Sequence, residues 1–301
     1  MPWHLTHDVD AFRHAARAYL ERDPARSTVL LTVSEMVRRH GPRPYGDGGA
    51  DARFGWWRRA RGEGGPVEGA FLQTPPHHPL LGPMPDDAAR ELAHALRDGD
   101  VRTARGVHVR GVQGVRGGDG AARVFADAWT GGPGGPGWTV TRRSRLFRLG
   151  ELTPPHPLPP GAARRATADD VPLAAAWMSA FAADIGEDPD ADHTENVARR
   201  VAHGGLHLWE TGGRPVSMAA HSPLVAAQSR ISPVYTPPGL RGRGYAGAVT
   251  SAVSRAARDT GARQVLLFTD LANPTSNALY QRLGYRPLDD HVHLDFTAGD
   301  A

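Results

Sequence analysis

A proline-rich segment divides this chain near its middle. Residues 153–163 read TPPHPLPPGAA, with five prolines in eleven residues. Proline lacks a backbone N–H and has a fixed φ, so such a run cannot form a helix or a central strand. A segment of this kind is expected to run extended over the surface and to join two folded units. The sequence therefore predicts an N-terminal domain over residues 1–152, a linker over 153–163 and a second domain over 164–301.

The composition supports two folded domains and excludes several kinds of site. A length of 301 residues with 40% hydrophobic residues is enough for two cores. All 35 basic residues are arginines, so a bound phosphate would have to be held by arginine, by backbone N–H groups or by a helix N-terminus. The absence of cysteine excludes disulfides, thiolate nucleophiles and cysteine-bound zinc. The net charge of +3 is small for this length and disfavours a nucleic-acid partner.

The sequence predicts a cytoplasmic protein with no membrane partner and no metal. The N-terminus lacks the basic segment and apolar run of a secretory signal, and the longest apolar run, residues 171–178, is too short to span a bilayer. The pairs His77-His78 and His291-x-His293 lack a carboxylate or third histidine at ligand spacing. The formation of a homo-oligomer is left open.

The N-terminal half mixes helix and strand patterns. Apolar residues at helical spacing predict helices over residues 8–22, 26–41 and 85–99. Two strand-like runs split by the turn RGEGG predict a hairpin over residues 53–74. Residues 138–149 have the pattern of a further strand.

The C-terminal half has a clearer order of elements. The sequence predicts, in chain order, helices over 169–186 and 196–205, a hairpin over 206–223, a strand over 229–238, a helix over 244–261, a strand over 263–269, a short helix over 273–284 and a last strand over 291–296. The middle of this half therefore has the order strand, turn, helix, strand, helix.

The turn RGRGYA, residues 241–246, lies between a predicted strand and a predicted helix. At a helix N-terminus, unpaired N–H groups and the helix dipole favour an anion. Gly244 and Ala246 are small enough for the backbone to approach a large ligand, while Arg241 and Arg243 add positive charge. These parts suit a pyrophosphate. An RNA contact is disfavoured because Arg/Gly segments that bind RNA are usually repeated and unstructured, whereas this one occurs once between ordered elements.

This turn resembles the pattern Arg/Gln-x-x-Gly-x-Gly/Ala of the GCN5-related N-acetyltransferases, the GNAT superfamily. The resemblance implies that residues of the turn hold the pyrophosphate of acetyl-coenzyme A, namely Arg241, Gly242, Arg243, Gly244, Tyr245 and Ala246. It also implies that the preceding strand splays from its neighbour. The backbone of Val234 and Tyr235 would then bind the pantetheine arm.

A second block, NPTSNALYQRLGY, is similar to the family signature Asn-x-x-Ser/Ala-x-x-x-Tyr-x-x-x-Gly-Phe/Tyr. The resemblance implies that Asn273 and Ser276 line the cofactor channel and that Tyr280 is catalytic, close to the thioester sulfur. A neutral tyrosine, with a pKa of about 10, can donate a proton to a leaving thiolate. For Asn273, simple capping of the helix is an equally good interpretation.

The resemblance covers about residues 164–296 and implies the acyl-CoA N-acyltransferase fold. That fold is of the α/β (α+β) class, with a mixed, mostly antiparallel central sheet flanked by helices. The N-terminal half has a similar order of elements but lacks both blocks, so it resembles a degenerate copy of the same fold, as in tandem members of the family.

The implied activity is transfer of an acetyl group from acetyl-CoA to a small-molecule primary amine, directly within a ternary complex, because no cysteine is available for an acyl-enzyme. Two alternatives stay open: an aminoacyl-tRNA-dependent transferase of related tandem fold, and a non-catalytic protein that binds or senses CoA. The pyrophosphate turn argues against the tRNA donor, which does not need it.

The sequence identifies neither the acceptor amine nor the general base. Glu187, Glu210 and His221 are candidates for the base, and direct attack without a dedicated base is a further alternative. The acidic run over residues 186–195 is either a solvated loop or a surface that attracts a cationic amine.

Overall fold

The computed structural model describes residues 2–42, 51–59, 65–98, 112–132 and 137–297. The chain divides into two compact units. Unit 1 comprises Met1–Arg145 and Asp289–Ala301, and unit 2 comprises Leu146–Leu288. Most of the turn RGEGG of the first predicted hairpin, and Gly99 at the end of the third predicted helix, lie outside the described residues.

The N-terminal half has the order strand, two helices, three strands, helix, strand, helix, strand. These elements are β1 (Trp3–Thr6), α1 (Val9–Arg22), α2 (Thr28–His40), β2 (Arg53–Arg58), β3 (Val67–Gln73), β4 (Leu80–Leu81), α3 (Asp86–Asp98), β5 (Gly114–Gly118), α4 (Asp119–Thr130) and β6 (Trp138–Leu149). The three helices and the strand 138–149 predicted here are confirmed.

The C-terminal half repeats the same order of elements. They are β7 (Ala162–Arg165), α5 (Val171–Asp184), α6 (Thr194–Ala202), β8 (Leu206–Thr211), β9 (Arg214–His221), β10 (Gln228–Tyr235), α7 (Tyr245–Asp259), β11 (Gln264–Asp270), α8 (Pro274–Arg282) and β12 (Tyr285–Phe296). A chain built from two copies of one fold would show this repetition.

The sheet of unit 1 has the strand order β1-β2-β3-β4-β5-β12, with residues 289–296 of β12 at its end. The predicted hairpin is confirmed, since β2 and β3 pair antiparallel and Trp56 lies opposite Ala70. β4 and β5 are parallel, whereas β12 is antiparallel to β5. Phe71, Leu92 and Phe125 are fully buried in the core of this unit.

The sheet of unit 2 has the strand order β6-β11-β10-β9-β8-β7, with residues 146–149 of β6 at its end. β7, β8, β9 and β10 pair antiparallel in succession, and β10 and β11 are parallel. The mixed, mostly antiparallel sheet flanked by helices is the architecture that the sequence predicts.

The helix α7 is fixed to this sheet by one apolar face. Its residues Val249, Val253 and Ala257 are fully buried, at the spacing of successive helical turns, against β11 residues such as Val265 and Leu267. Burying each valine or leucine contributes about 1.5–3 kcal/mol. This packing positions α7 against the sheet, and the helix begins at Tyr245.

Candidate functional site

A cavity of about 720 Å³ opens in unit 2, where β10 ends, α7 and α8 begin and α5 ends. Its lining includes two residues of β10, Val234 and Tyr235, together with residues of both sequence blocks: Arg241, Gly242, Gly244, Tyr245, Ala246, Asn273, Ser276 and Tyr280. Among the predicted site residues, Arg243 is outside this lining; it is exposed, and its Nη2 donates to the carbonyl of Gly239 (3.2 Å). The fold thus brings two separate motifs to one cavity.

The cavity lies where β10 and β11 part. Their parallel pairing runs from Gln228 to Arg230, and both strands then continue to Tyr235 and Asp270, which line the cavity. The register of β10 against β9 shifts between Ile231 and Val234, which indicates a bulge of one extra residue. A bulge bends a strand and increases its twist, which helps to separate it from the neighbour on its other side.

The parting of the strands leaves backbone groups available beside the cavity. Successive residues of a strand direct their N–H and C=O groups to alternate sides, so one of Val234 and Tyr235 faces the side from which β11 has parted. The carbonyl of Tyr235 already accepts a hydrogen bond from Ser217 Oγ (2.9 Å). Val234 is therefore the residue with the more available backbone groups.

The turn before α7 exposes a series of backbone donors. Gly242 and Gly244 have φ values of 77° and 83°, in the left-handed region that costs other residues about 1–2 kcal/mol. Among the described residues, the N–H groups of residues 242–246 have no protein acceptor. These N–H groups, together with the positive end of the α7 dipole, make an anion-binding concavity.

Arg241 has partners of its own at the rim of the cavity. Its guanidinium forms an ion pair with Asp184 at the end of α5, and its Nε donates to the carbonyl of Thr236 (2.9 Å). The same group lies over the ring of Tyr235, 5.9 Å from its centroid. Arg241 therefore connects the turn to α5 and β10, and part of its charge is balanced by a carboxylate.

Asn273 caps α8. Its Oδ1 accepts the N–H of Ser276 (3.0 Å), which confirms the capping interpretation. The cap fixes the first turn of α8, and Ser276 and Tyr280 follow at helical spacing along the cavity wall.

Tyr280 presents a neutral phenol to the cavity. Its side chain is 8% exposed and packs edge-on against Tyr285, with ring centroids 6.0 Å apart. Within the described part of the chain its hydroxyl has no hydrogen-bond partner, whereas the hydroxyl of Tyr285 is bonded to Ser254 Oγ (2.7 Å). Burial raises the pKa of Tyr280 to about 12, so it holds its proton at neutral pH.

The candidate bases from the sequence lie elsewhere. Glu210 accepts from Arg164 Nε (2.5 Å), and His221 is buried with Nδ1 3.0 Å from the carbonyl of Ser222. Neither of these residues nor Glu187 belongs to the described lining of the cavity.

Two carboxylates do line the cavity, and sequence reasoning missed both. Asp184 is paired with Arg241. Asp270, at the end of β11, accepts the N–H of Ala272 (2.7 Å) and has no ion pair among the described residues. The signal for Asp270 was its place directly after a buried strand; the pairing of Asp184 joins positions 57 residues apart and has no local signal.

The corresponding position of unit 1 lacks the anion site. The residues before and at the start of α3 include Pro83, Pro85, Asp86 and Asp87. The two prolines have no N–H to donate, and the two carboxylates would repel a phosphate.

Part of the chain matches the model of a known protein family. Residues 172–285 match the model of the acetyltransferase (GNAT) family. A comparison with curated proteins finds no match. Among the described residues, no helix is long and apolar enough to cross a membrane, and no group of three histidine, aspartate or glutamate side chains is arranged to hold a metal.

Solved structures resemble the whole chain. An acetyltransferase of the GNAT family from Colwellia psychrerythraea is 12% identical, with a TM-score of 0.60 over 99% of this chain and 100% of that one. A GCN5-related N-acetyltransferase from Sphaerobacter thermophilus is 16% identical, with a TM-score of 0.61 over 100% and 97%. A Drosophila protein is 14% identical, with a TM-score of 0.64 over 98% of each chain. At these identities the likeness establishes the fold alone, and it confirms the predicted fold class.

Proposed function

We propose that this chain, of which residues 172–285 match the model of the acetyltransferase (GNAT) family, is an N-acetyltransferase that moves an acetyl group from acetyl-CoA to a primary amine. The observation that carries this proposal is the turn at residues 242–246. Its unpaired N–H groups border the same cavity that the phenol of Tyr280 borders. An anion site and a hydrogen-bond donor on one cavity suit the transfer of an acyl group from CoA.

The residues of the turn fit the pyrophosphate of CoA. Backbone N–H groups at a helix N-terminus bind phosphate without needing lysine, which this chain lacks. Gly242 and Gly244 are exposed, so no side chain covers the turn at these positions. Arg243, exposed beside them, supplies further charge, whereas Arg241 is the less available of the two arginines because Asp184 holds it.

Val234 and Tyr280 fit the remaining parts of the molecule. The backbone of Val234, beside the parted strands, would bond the amides of the pantetheine arm. When bound, acetyl-CoA would supply an activated acetyl thioester; attack by an amine forms the amide C–N bond and breaks the C–S bond, so that CoA leaves as its thiolate. Tyr280 would donate a hydrogen bond to the sulfur of CoA as negative charge develops on that sulfur. Its raised pKa makes full proton transfer to a thiolate of ordinary pKa, about 8.5, uphill, so hydrogen bonding is its first role.

Asp270 is our candidate for accepting the proton of the amine. It lines the cavity and is not held in an ion pair among the described residues, unlike Asp184. The acidic run after α5, which begins two residues beyond Asp184, would favour the approach of a cationic amine.

Unit 1 has no catalytic role in this proposal. Prolines and carboxylates replace the donors of the pyrophosphate turn at the start of α3. We propose that it is the degenerate member of a tandem pair.

Release of thiol from acetyl-CoA in the presence of a panel of amines tests the function. An N-acetyltransferase gives amine-dependent thiol and an acetylated amine of matching mass. Tight binding of acetyl-CoA without thiol release from any amine would favour the non-catalytic sensor instead. Salt-sensitive tRNA binding, with no binding of acetyl-CoA, would favour the tRNA-dependent transferase.

A further inference from the structure

Residues 150–161 contain the five prolines of the proline-rich segment and are hydrogen-bonded to the rest of unit 2 near both ends. The N–H groups of Gly150 and Thr153 donate to the carbonyls of Gly284 (3.0 Å) and Leu283 (3.1 Å). At the other end, Trp209 Nε1 donates to the carbonyl of Pro160 (3.0 Å). A segment with five prolines that is bonded at both ends has a nearly fixed backbone.

Two of its prolines lie against the turn that we assign to the pyrophosphate. A Cβ placed on Gly247, in the first turn of α7, would be 3.2 Å from Pro155 Cγ. A Cβ placed on Gly244 would be 3.7 Å from Pro159 Cγ. Both glycines line the cavity, so the proline-rich segment packs against residues that form its wall.

Between these two contacts the segment turns its side chains to solvent. His156 and Pro157 are exposed, and Leu158 is 56% exposed, the largest value among the large apolar side chains of the described residues. A single exposed leucine is ordinary in itself. Here Leu158 lies on a rigid backbone next to an anion site, because it directly precedes Pro159, which packs against Gly244.

The chemistry of CoA identifies what this surface would meet. In CoA, the pyrophosphate joins the pantetheine arm to an adenosine, so a pyrophosphate at residues 242–246 leaves the adenosine within a few ångströms of the turn. A purine has two apolar faces, which bind aliphatic, proline and imidazole side chains. We propose that the proline-rich segment, through Leu158 and His156, forms the wall that receives the adenosine part of CoA.

This inference rests on the proposed function, because it places the pyrophosphate in the turn. It goes beyond it in assigning the adenosine to a segment outside the GNAT-matched residues 172–285. It also gives the proline-rich segment a role other than joining two domains.

Calorimetric titration with CoA and with 4′-phosphopantetheine, which lacks the adenosine, tests the proposal. Leu158→Ser and His156→Ala should each weaken CoA binding about three- to tenfold, with no change for 4′-phosphopantetheine. The matched control is Leu5→Ser, because Leu5 is 47% exposed and lies on β1 in unit 1. It should change neither affinity, and thermal denaturation should show all three variants folded.

The outcomes separate the two proposals. Unchanged CoA affinity in both segment variants would overturn the adenosine wall and leave the function standing. Equal weakening of both ligands would also overturn it, because the segment would then act by shaping the turn. Wild-type protein that binds neither ligand would instead overturn the proposed function.

Discussion

At the scale of single residues, the contrast between two neighbouring tyrosines carries most of the chemical argument. Tyr280 and Tyr285 pack edge-on, and burial raises the pKa of both. Only the hydroxyl of Tyr285 is engaged by a described protein group, Ser254. The phenol of Tyr280 is therefore the one available to a substrate, and Tyr285 offers a matched position for a control substitution.

Tyr280→Phe should lower kcat about 10- to 100-fold while leaving the KM for acetyl-CoA nearly unchanged. The variant keeps the ring and its packing and removes a hydrogen bond to a group that becomes charged as the thiol leaves. Steady-state thiol release with the best amine of the panel measures this. Tyr285→Phe should keep kcat and lose about 1 kcal/mol of stability; equal kcat losses in both variants would contradict the assignment.

Asp270→Asn should lower kcat about 10- to 100-fold at neutral pH. A positioned proton acceptor typically contributes about 10²- to 10⁴-fold, so the expected loss is at or below the lower end of that range. The amide keeps an oxygen for the N–H of Ala272, so the loop should stay intact. Asp184→Asn is the comparison, because it weakens the pairing with Arg241 and should change the KM for acetyl-CoA more than kcat. A wild-type kcat in Asp270→Asn would show that this carboxylate does not accept the proton.

At the scale of elements, the hairpin of β8 and β9 buries two histidines that the mechanism does not use. His207 and His221 are 6% and 4% exposed, with ring centroids 6.1 Å apart. The pKa of each is lowered, mainly by burial, and the positive charge of Arg165 acts in the same direction. Both are therefore neutral in the folded protein at neutral pH.

This burial predicts an acid-sensitive unit 2. The unfolded chain takes up protons on these histidines as the pH falls below about 6.5, while the folded chain resists, so the free energy of unfolding should fall through that range. Urea unfolding at pH 7.5 and 5.5 measures the difference. The double variant His207→Gln, His221→Gln should show a smaller loss; an equal loss would place the acid sensitivity elsewhere.

Which elements could be predicted depends on how locally they are determined. The helix α7, the strand β11 and the helix α8 have strong periodicity, caps and glycine stops, and the sequence predicted all three. The strands β4 and β5 were not predicted, because β4 has only two residues and three of the five residues of β5, GVRGG, are glycines, which are depleted in strands. Likewise, the two site motifs could be identified from the sequence because each is local. The ion pair of Arg241 with Asp184 could not be predicted, because it depends on the folded positions of α5 and the turn.

At the scale of the whole molecule, the two halves share an order of elements, but within the described parts of the chain the exposed backbone donors of the anion site lie only in the C-terminal half. The expected stoichiometry is therefore one acetyl-CoA per chain, which calorimetry measures together with the affinity. Two equivalents would mean that unit 1 binds the cofactor despite Pro83, Pro85, Asp86 and Asp87 at the start of α3.

In the proposed function, the turn before α7 holds the pyrophosphate. Gly244 is a poor position for the test, since its φ of 83° would strain any other residue and confuse binding with stability. Ala246, in the first turn of α7, lines the cavity with ordinary helical geometry. A glutamate there places a carboxylate in the anion site while its charge complements the helix dipole.

Calorimetric titration of acetyl-CoA into wild type, Ala246→Glu and the uncharged control Ala246→Ser is therefore the most direct measurement. The proposed site predicts that Ala246→Glu binds at least about 30-fold more weakly, that Ala246→Ser stays close to wild type, and that the thermal midpoint of Ala246→Glu is equal or higher. Wild-type affinity in a folded Ala246→Glu variant would contradict the claim.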